Sequence, residues 1–206
     1  MLPAFLAGRK VLSVAGSSLV KQVAGSIAHT SREGEAPVLS AVGPASVNQA
    51  VKAVAIARKY LETNRIDLRV RVLRAEAGND IKDLILLNLQ IVPAQGGADA
   101  AASEVAADAT EGELEDGEYQ NLKSGQGRTS LLAGAIAKNV RESKRVRITA
   151  VGQNRVFRAV DAVVSARRFL AEDSLDLEFQ PEFTHVTFAN GVEANAVQLT
   201  VLPRQL

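Results

Sequence analysis

Gly43-Pro-Ala-Ser-Val-Asn-Gln-Ala-Val-Lys-Ala-Val-Ala-Ile-Ala-Arg-Lys-Tyr-Leu61 reads as a tight turn feeding an amphipathic helix. Gly43-Pro44 ends the strand before it, because proline fixes its own φ and has no N–H for a ladder. Ser46 followed by Gln49 fits a capping box, in which the hydroxyl takes an orphan helix N–H and the amide reaches back. Val47, Ala50, Val51, Val54, Ala57 and Leu61 fall on one face at helical spacing, with Asn48, Lys52 and Lys59 on another. The spacing predicts a helix with a small-residue packing face and a polar edge.

The same stretch returns further on. Gly152 to Leu170 reads Gly-Gln-Asn-Arg-Val-Phe-Arg-Ala-Val-Asp-Ala-Val-Val-Ser-Ala-Arg-Arg-Phe-Leu. A shift of 109 positions lays Gly43 on Gly152, Ala50-Val51 on Ala159-Val160, Ala57-Arg58 on Ala166-Arg167 and Leu61 on Leu170. It also lays Ala24-Gly25-Ser26-Ile27-Ala28 on Ala133-Gly134-Ala135-Ile136-Ala137, and Asp67-Leu68 on Asp176-Leu177. The chain therefore carries two copies of one domain, and that repeat governs every later assignment.

Working outward, each copy reads β-α-β-α-β-β. In copy one, Val11–Ala15 is a strand, Gly16-Ser17-Ser18 a turn that caps a helix from Leu19 to about Thr30, and Pro37–Val42 a second strand. After the long helix, Ile66, Leu68, Val70 and Val72 alternate with Asp67, Arg69 and Arg71, which marks a half-buried strand. Gly78-Asn79 is a turn, and Leu84–Val92 a last strand stopped at Pro93. In copy two the strands are expected near 119–124, 146–151, 175–179 continued at 184–188, and 196–202, with Pro203-Arg204 repeating the stop. Thr129–Arg141 is the first helix, Asn154 is placed to cap the second, and Asn190-Gly191 signals a type I′ hairpin.

The bulk numbers agree with two small domains. Of 206 residues, 47% are hydrophobic and only 4% aromatic, so the cores must be built from Val, Leu, Ile and Ala. There is no Cys, which excludes disulfides and thiolate metal sites, and His29 and His185 fall at non-equivalent positions. No histidine-based metal or proton-transfer site and no cofactor is expected. No apolar run reaches the length of a membrane span. The first ten residues are too short and too poorly punctuated for a secretory signal. The acid-free start up to Glu33 faintly resembles an organelle (plastid or mitochondrial) transit peptide, but the first repeat begins near Val11, so this stretch reads as an N-terminal arm of an intracellular protein.

Charge is unevenly placed. Residues 1–93 carry a net +5, residues 94–121 hold 8 acids and no Lys or Arg, and residues 122–206 carry +4. The expected organisation is a first domain over 1–93, an acidic Ala-rich flexible linker over 94–118 and a second domain over 119–206. The linker has too few large hydrophobes to offset the entropy of ordering it. A tether is its plain reading; an intramolecular decoy for a basic surface is the alternative.

Several of these motifs together resemble the bacterial stage V sporulation protein S family. They are the Ala-Gly-x-Ile-Ala helix, the Ala41-Val42-Gly43 strand end, the run from Val47 to Arg58, and the Val201-x-Pro203-Arg204 ending. Copy one carries the helix motif almost intact, and copy two carries the hairpin and tail better. The resemblance implies an α+β protein of two Alba-like two-layer sandwiches in tandem. It also implies a tendency to dimerise, which a tandem chain could satisfy internally as a pseudo-dimer. Relatives in the wider Alba group bind DNA or RNA through a basic β1–α1 loop, the start of the second helix and a hairpin arm. That is an analogy of fold, and function belongs to sites.

On that expectation the nucleic-acid candidates in copy one are Lys21, Asn48, Gln49, Lys52, Arg69 and Arg71, with Arg74 on the same strand. In copy two they are Arg128, Arg155 and Arg158, and the cluster Lys138, Arg141, Lys144, Arg145 and Arg147, the densest patch in the sequence. Lys and Arg so spaced meet phosphates, and helix starts offer N–H groups. Taken singly, each is read as well as solvated charge on an amphipathic element. The polar edge has diverged: Asn48, Gln49 and Lys52 become Phe157, Arg158 and Asp161. Asp67 and Asp176 read as turn or cap residues. With no P-loop, no Ser/His/Asp grouping and no carboxylate pair in an apolar setting, the chain is not expected to be an enzyme. The expected function is backbone-led DNA or RNA binding; the alternative is a structural subunit that uses the tandem domains to bind other proteins, or a second copy of itself, in a larger assembly.

Overall fold

A computed structural model describes residues 8–75, 84–94, 119–125 and 127–206. The expected order holds in both copies. Copy one runs β1 (Val11–Val14), α1 (Val20–Arg32), β2 (Val38–Val42), α2 (Gly43–Leu61), β3 (Ile66–Arg74) and β4 (Leu84–Pro93). Copy two runs β5 (Tyr119–Lys123), α3 (Thr129–Arg141), β6 (Arg145–Ala150), α4 (Gln153–Leu170), β7 (Leu175–Thr187) and β8 (Glu193–Gln205). The Gly78-Asn79 turn and the linker beyond Ala94 lie outside the described residues.

The two sheets are one sheet. Its order is β1-β2-β4-β3-β7-β8-β6-β5, with copy one and copy two meeting at β3 and β7. The antiparallel register there is Val70↔Phe179, residues that are equivalent under the 109-residue shift, so a pseudo-two-fold axis passes between them. Helices α2 and α4 touch each other, α1 packs on α2, and α3 on α4, giving one helical layer on one face. A single apolar core runs through both copies, from Val14 and Ile27 through Val54, Val70 and Phe179 to Ile136 and Ile148. All six residues of the expected α2 packing face are fully buried in it. A smaller cluster, Val38 and Leu86 with Ala75 and Leu84, sits apart from this core.

The caps differ from expectation. Neither Ser46 nor Asn154 caps its helix: α2 begins at Gly43 and α4 at Gln153, without a side-chain cap. Each is entered through a glycine with positive φ, Gly43 at 76° and Gly152 at 85°, which turns the chain so abruptly that the helix starts before Ser46 or Asn154 is reached. Gly152 combines φ 85° with ψ 158°, a region essentially reserved for glycine. Gly152→Ala is therefore expected to destabilise the fold by about 1–3 kcal/mol, read as a shift in the urea midpoint. Ser18 likewise does not cap α1; its Oγ accepts the Ala15 N–H at 2.9 Å within the turn.

The prolines and the hairpin are also used differently. β7 is continuous through Pro181, and β8 runs through Pro203. Pro203 pairs with Leu177, beyond the last rung between β6 and β8, so the missing N–H costs no ladder bond. The β7–β8 loop is not type I′, because Asn190 does not have positive φ. It is a three-residue loop, Ala189–Gly191, closed by Phe188 N–H to Val192 O at 2.8 Å and Gly191 N–H to Phe188 O at 2.9 Å, with Gly191 at φ 77°.

Candidate functional site

The seam between the copies accounts for several residues whose role the sequence left open. Arg58 near the end of α2 holds Asp67 through two bonds, Nε to Oδ1 at 2.6 Å and Nη2 to Oδ2 at 2.9 Å. Its Nη1 donates to Pro181 O of the other copy at 2.8 Å. Arg167, its equivalent, holds Asp176 in the same way and donates to Val72 O, the equivalent of Pro181. β3 and β7 share one register pair, so carbonyls on either side of it would lack ladder partners, and the two guanidinium groups take that place. A residue's N and O point the same way in antiparallel sheet, so Pro181 N also faces this seam, where no donor is needed.

Each carboxylate gains a further partner across the axis. Gln180 Nε2 donates to Asp67 Oδ2 at 2.8 Å, and Arg71, the equivalent of Gln180, pairs with Asp176 Oδ2 at 2.7 Å. Asp67 and Asp176 are thus seam residues rather than caps. Asp176 is 2% exposed. Burial alone would raise its pKa; the hydrogen bond and charge of Arg167, the Leu177 N–H and the charge of Arg71 outweigh that and hold it below the usual carboxylate range. Arg71 is engaged here, at the seam. Arg74 pairs with Asp161 of α4.

Other candidates turn out to brace the fold. Arg141 donates to Asp173 Oδ2 at 2.8 Å and to Phe169 O at 2.7 Å, tying the end of α3 to the end of α4. Arg32 makes the equivalent clamp on Asn64 and Tyr60 O. Lys138 and Lys144 both approach Glu142, at 4.0 and 2.7 Å. Arg145 and Arg147 lie on the sheet face away from the helices, since their neighbours Val146 and Ile148 enter the core. They flank Tyr119, with Arg147 3.6 Å and Arg145 5.8 Å from its ring centroid. The expected cluster is therefore split between the two layers: Lys138 and Arg141 ride on α3, Arg145 and Arg147 on the back of the sheet. Arg69 is on that back face too, half-buried. Asn48 is buried among the helices, with Oδ1 unpartnered.

What the fold does bring together is the two helix starts of each copy. β1 and β2 are parallel neighbours, and each leads into a helix, so α1 and α2 begin at the same end of the sheet. Gln49 locks the pair by donating to Ser18 O at 2.9 Å. Gly16 packs so closely on the first turn of α2 that an added Cβ would lie 2.8 Å from Ala45 Cβ. In copy two, β5 and β6 repeat this, and Arg158, equivalent to Gln49, donates Nη1 to Gly125 O and Gly127 O at 3.1 and 3.4 Å. All four helices lack a side-chain N-cap and an acidic residue in the first turn. Lys21 is exposed in the first turn of α1 at the copy-one end, whereas Lys52 is half-buried midway along α2. At the copy-two end Arg128 is exposed at the start of α3, and Arg155 and Arg158 line a groove with Val151 to Asn154.

The sequence profile of the family described as Stage V sporulation protein S (SpoVS) matches residues 10–73 and 121–204. The chain belongs to the SpoVS family. Both matches begin at the first strand of a copy. The first stops at Leu73, within β3, whereas the second runs through β8. The equivalence of β4 to β8 is nevertheless geometric: Leu39↔Leu87 in copy one matches Ile148↔Leu199 in copy two. The SpoVS match thus covers the paired helix starts of both copies and the Arg58–Asp67 and Arg167–Asp176 clamps of the seam, and stops one residue short of Arg74.

Arg9, in the stretch expected to be an N-terminal arm, instead stitches β4 to the start of β2, donating to Asn88 Oδ1, to Ala36 O and to Leu89 O, the last at 2.8 Å. Its equivalent by register is Tyr119, whose ring lies against Arg147, so the repeat carries no signal for it. Among the described residues no three metal-binding side chains cluster, and no helix is long and apolar enough to cross a membrane.

Proposed function

We propose that this SpoVS protein binds nucleic acid through its phosphate backbone, at the two ends of the sheet where helix starts are paired. The observation that carries the reading is the pairing itself. Each copy sets two uncapped helix N-termini side by side, with no carboxylate in either first turn. Unsatisfied N–H groups and the positive ends of two helix dipoles then converge where Lys21 or Arg128, Arg155 and Arg158 stand. Such a site reads charge and spacing rather than base identity. The copy-two end is the more basic, so it is assigned the larger share.

The test is affinity for duplex DNA and for single- and double-stranded RNA across ~50–200 mM salt. Arg128→Ala with Arg155→Ala should weaken binding uniformly across sequences and reduce the salt slope by about 2, one for each phosphate no longer neutralised. Arg145→Ala with Arg147→Ala, on the opposite face, should leave the slope nearly unchanged. The reverse pattern would move the site to the back of the sheet. No binding to any of these at low salt would overturn the proposal. It would then favour the second reading, an assembly subunit, which the half-exposed Phe183 and Phe188 and the exposed Val192 on the β7–β8 arm support.

A further inference from the structure

The seam is symmetric in its Arg–Asp clamps and asymmetric beside them. Arg74 of β3 pairs with Asp161 of α4. The two-fold equivalents of these residues are Phe183 and Lys52, which place no second ion pair at the mirrored position. Instead the Lys59 ammonium lies 5.9 Å from the Phe183 ring centroid.

We propose that positions 52, 74, 161 and 183 make each copy pair with the other copy and not with itself. If copy one met a second copy one through this seam, Arg74 would face Lys52 where it now faces Asp161, and would approach Lys59 where Phe183 now does. This would happen twice, once on each side of the axis. If copy two met a second copy two, Phe183 would face Asp161 and leave that carboxylate unpaired.

The clamps do not distinguish the arrangements. Arg71 now meets Asp176, and in a copy-one pair it would meet Asp67, so exchanging partners conserves that interaction. Arg58 and Arg167 bind an aspartate of their own copy and a backbone carbonyl across the seam, so they are indifferent too. The discrimination therefore falls on Arg74, which gains an ion pair in the mixed arrangement and meets like charge in the other. Juxtaposed like charge is the usual device for rejecting a wrong partner.

The experiment inserts a protease site into the segment between the copies. The whole protein is cut, unfolded and refolded with both halves present, and the assemblies are counted by native mass spectrometry. Mixed pairs should exceed like pairs by about tenfold or more relative to random pairing. Lys52→Asp gives copy one its own partner for Arg74 and leaves the Arg74–Asp161 pair intact. It should make copy-one pairs appear. Random pairing in the parent protein, or an unchanged distribution in Lys52→Asp, would overturn the proposal. A cycle in the uncut chain needs no refolding: Arg74→Asp and Asp161→Arg should each lower the melting temperature, and the double exchange should recover most of the loss. Strict additivity of the two losses would equally overturn it.

Discussion

Asp176→Asn is expected to destabilise the protein by about 3–5 kcal/mol, because it leaves the Arg167 guanidinium buried at the seam without its counter-charge. For a chain of this length that is a fall of roughly 10 °C in melting temperature. The side chains are 14% exposed for Arg167 and 3% for Asp176, so solvent screens the pair little. Asparagine keeps the shape and can still accept from the Leu177 N–H, but its amide NH2 then faces the Arg167 and Arg71 donors that Oδ2 now meets, so the charge and those two contacts are lost together. The pH dependence gives a second readout. The folded-state pKa of Asp176 is depressed: burial opposes this, but Arg167, Leu177 and Arg71 prevail. A depressed carboxylate contributes stability that is fully present above its unfolded pKa of about 3.9 and is lost as pH falls through the folded value. The gap between parent and variant should therefore be constant above about pH 5 and should narrow as the pH drops below about 4. A gap that stays constant down to pH 3 would show that the carboxylate charge is not what the seam uses.

The duplication was legible because packing preserves what it needs. Ala50, Val51, Ala57 and Leu61 recur as Ala159, Val160, Ala166 and Leu170, and every one of them is fully buried. Arg58, Arg167, Asp67 and Asp176 recur as well, but their joint role could not be read from one copy, since each clamp reaches a carbonyl in the other. Local signals failed where a neighbouring residue overrode them. Ser46-x-x-Gln49 has the spacing of a capping box, yet the positive φ of Gly43 starts the helix three residues earlier, which buries Ser46 and sends Gln49 to the β1–α1 loop. Pro203 has the sequence context of a strand terminator, but it sits where β8 has outrun β6. The densest basic run, Lys138 to Arg147, is a patch only along the chain, because a helix and a strand joined by a tight turn belong to different layers.

The same geometry bears on how two sites would act. In one continuous sheet the paired helix starts of copy one and copy two are held in a fixed relation, whatever the linker does. Sites fixed in this way gain effective concentration on a ligand that spans both, and gain nothing on one too short to reach. Affinity for nucleic acid should therefore rise with length in a step rather than smoothly, which links the rigidity of the seam to the proposed function.

Phe179→Ala tests that rigidity with the other large effect. Phe179 is fully buried and lies on the pseudo-two-fold axis opposite Val70, which is buried as well. The ring and the branched side chain pack into the one core where the two copies meet. Truncation to alanine should cost about 3–5 kcal/mol in lost burial and residual cavity. Its location decides where that loss is felt. Were the copies independent domains, only copy two would loosen. Because one core runs through both, hydrogen-exchange protection should fall together in α4 and β7 and in α2 and β3, and unfolding should remain a single transition. Copy-one amides that keep their parent protection in Phe179→Ala would show that the seam joins two separately stable domains, and the fixed relation between the two basic ends would have to be given up.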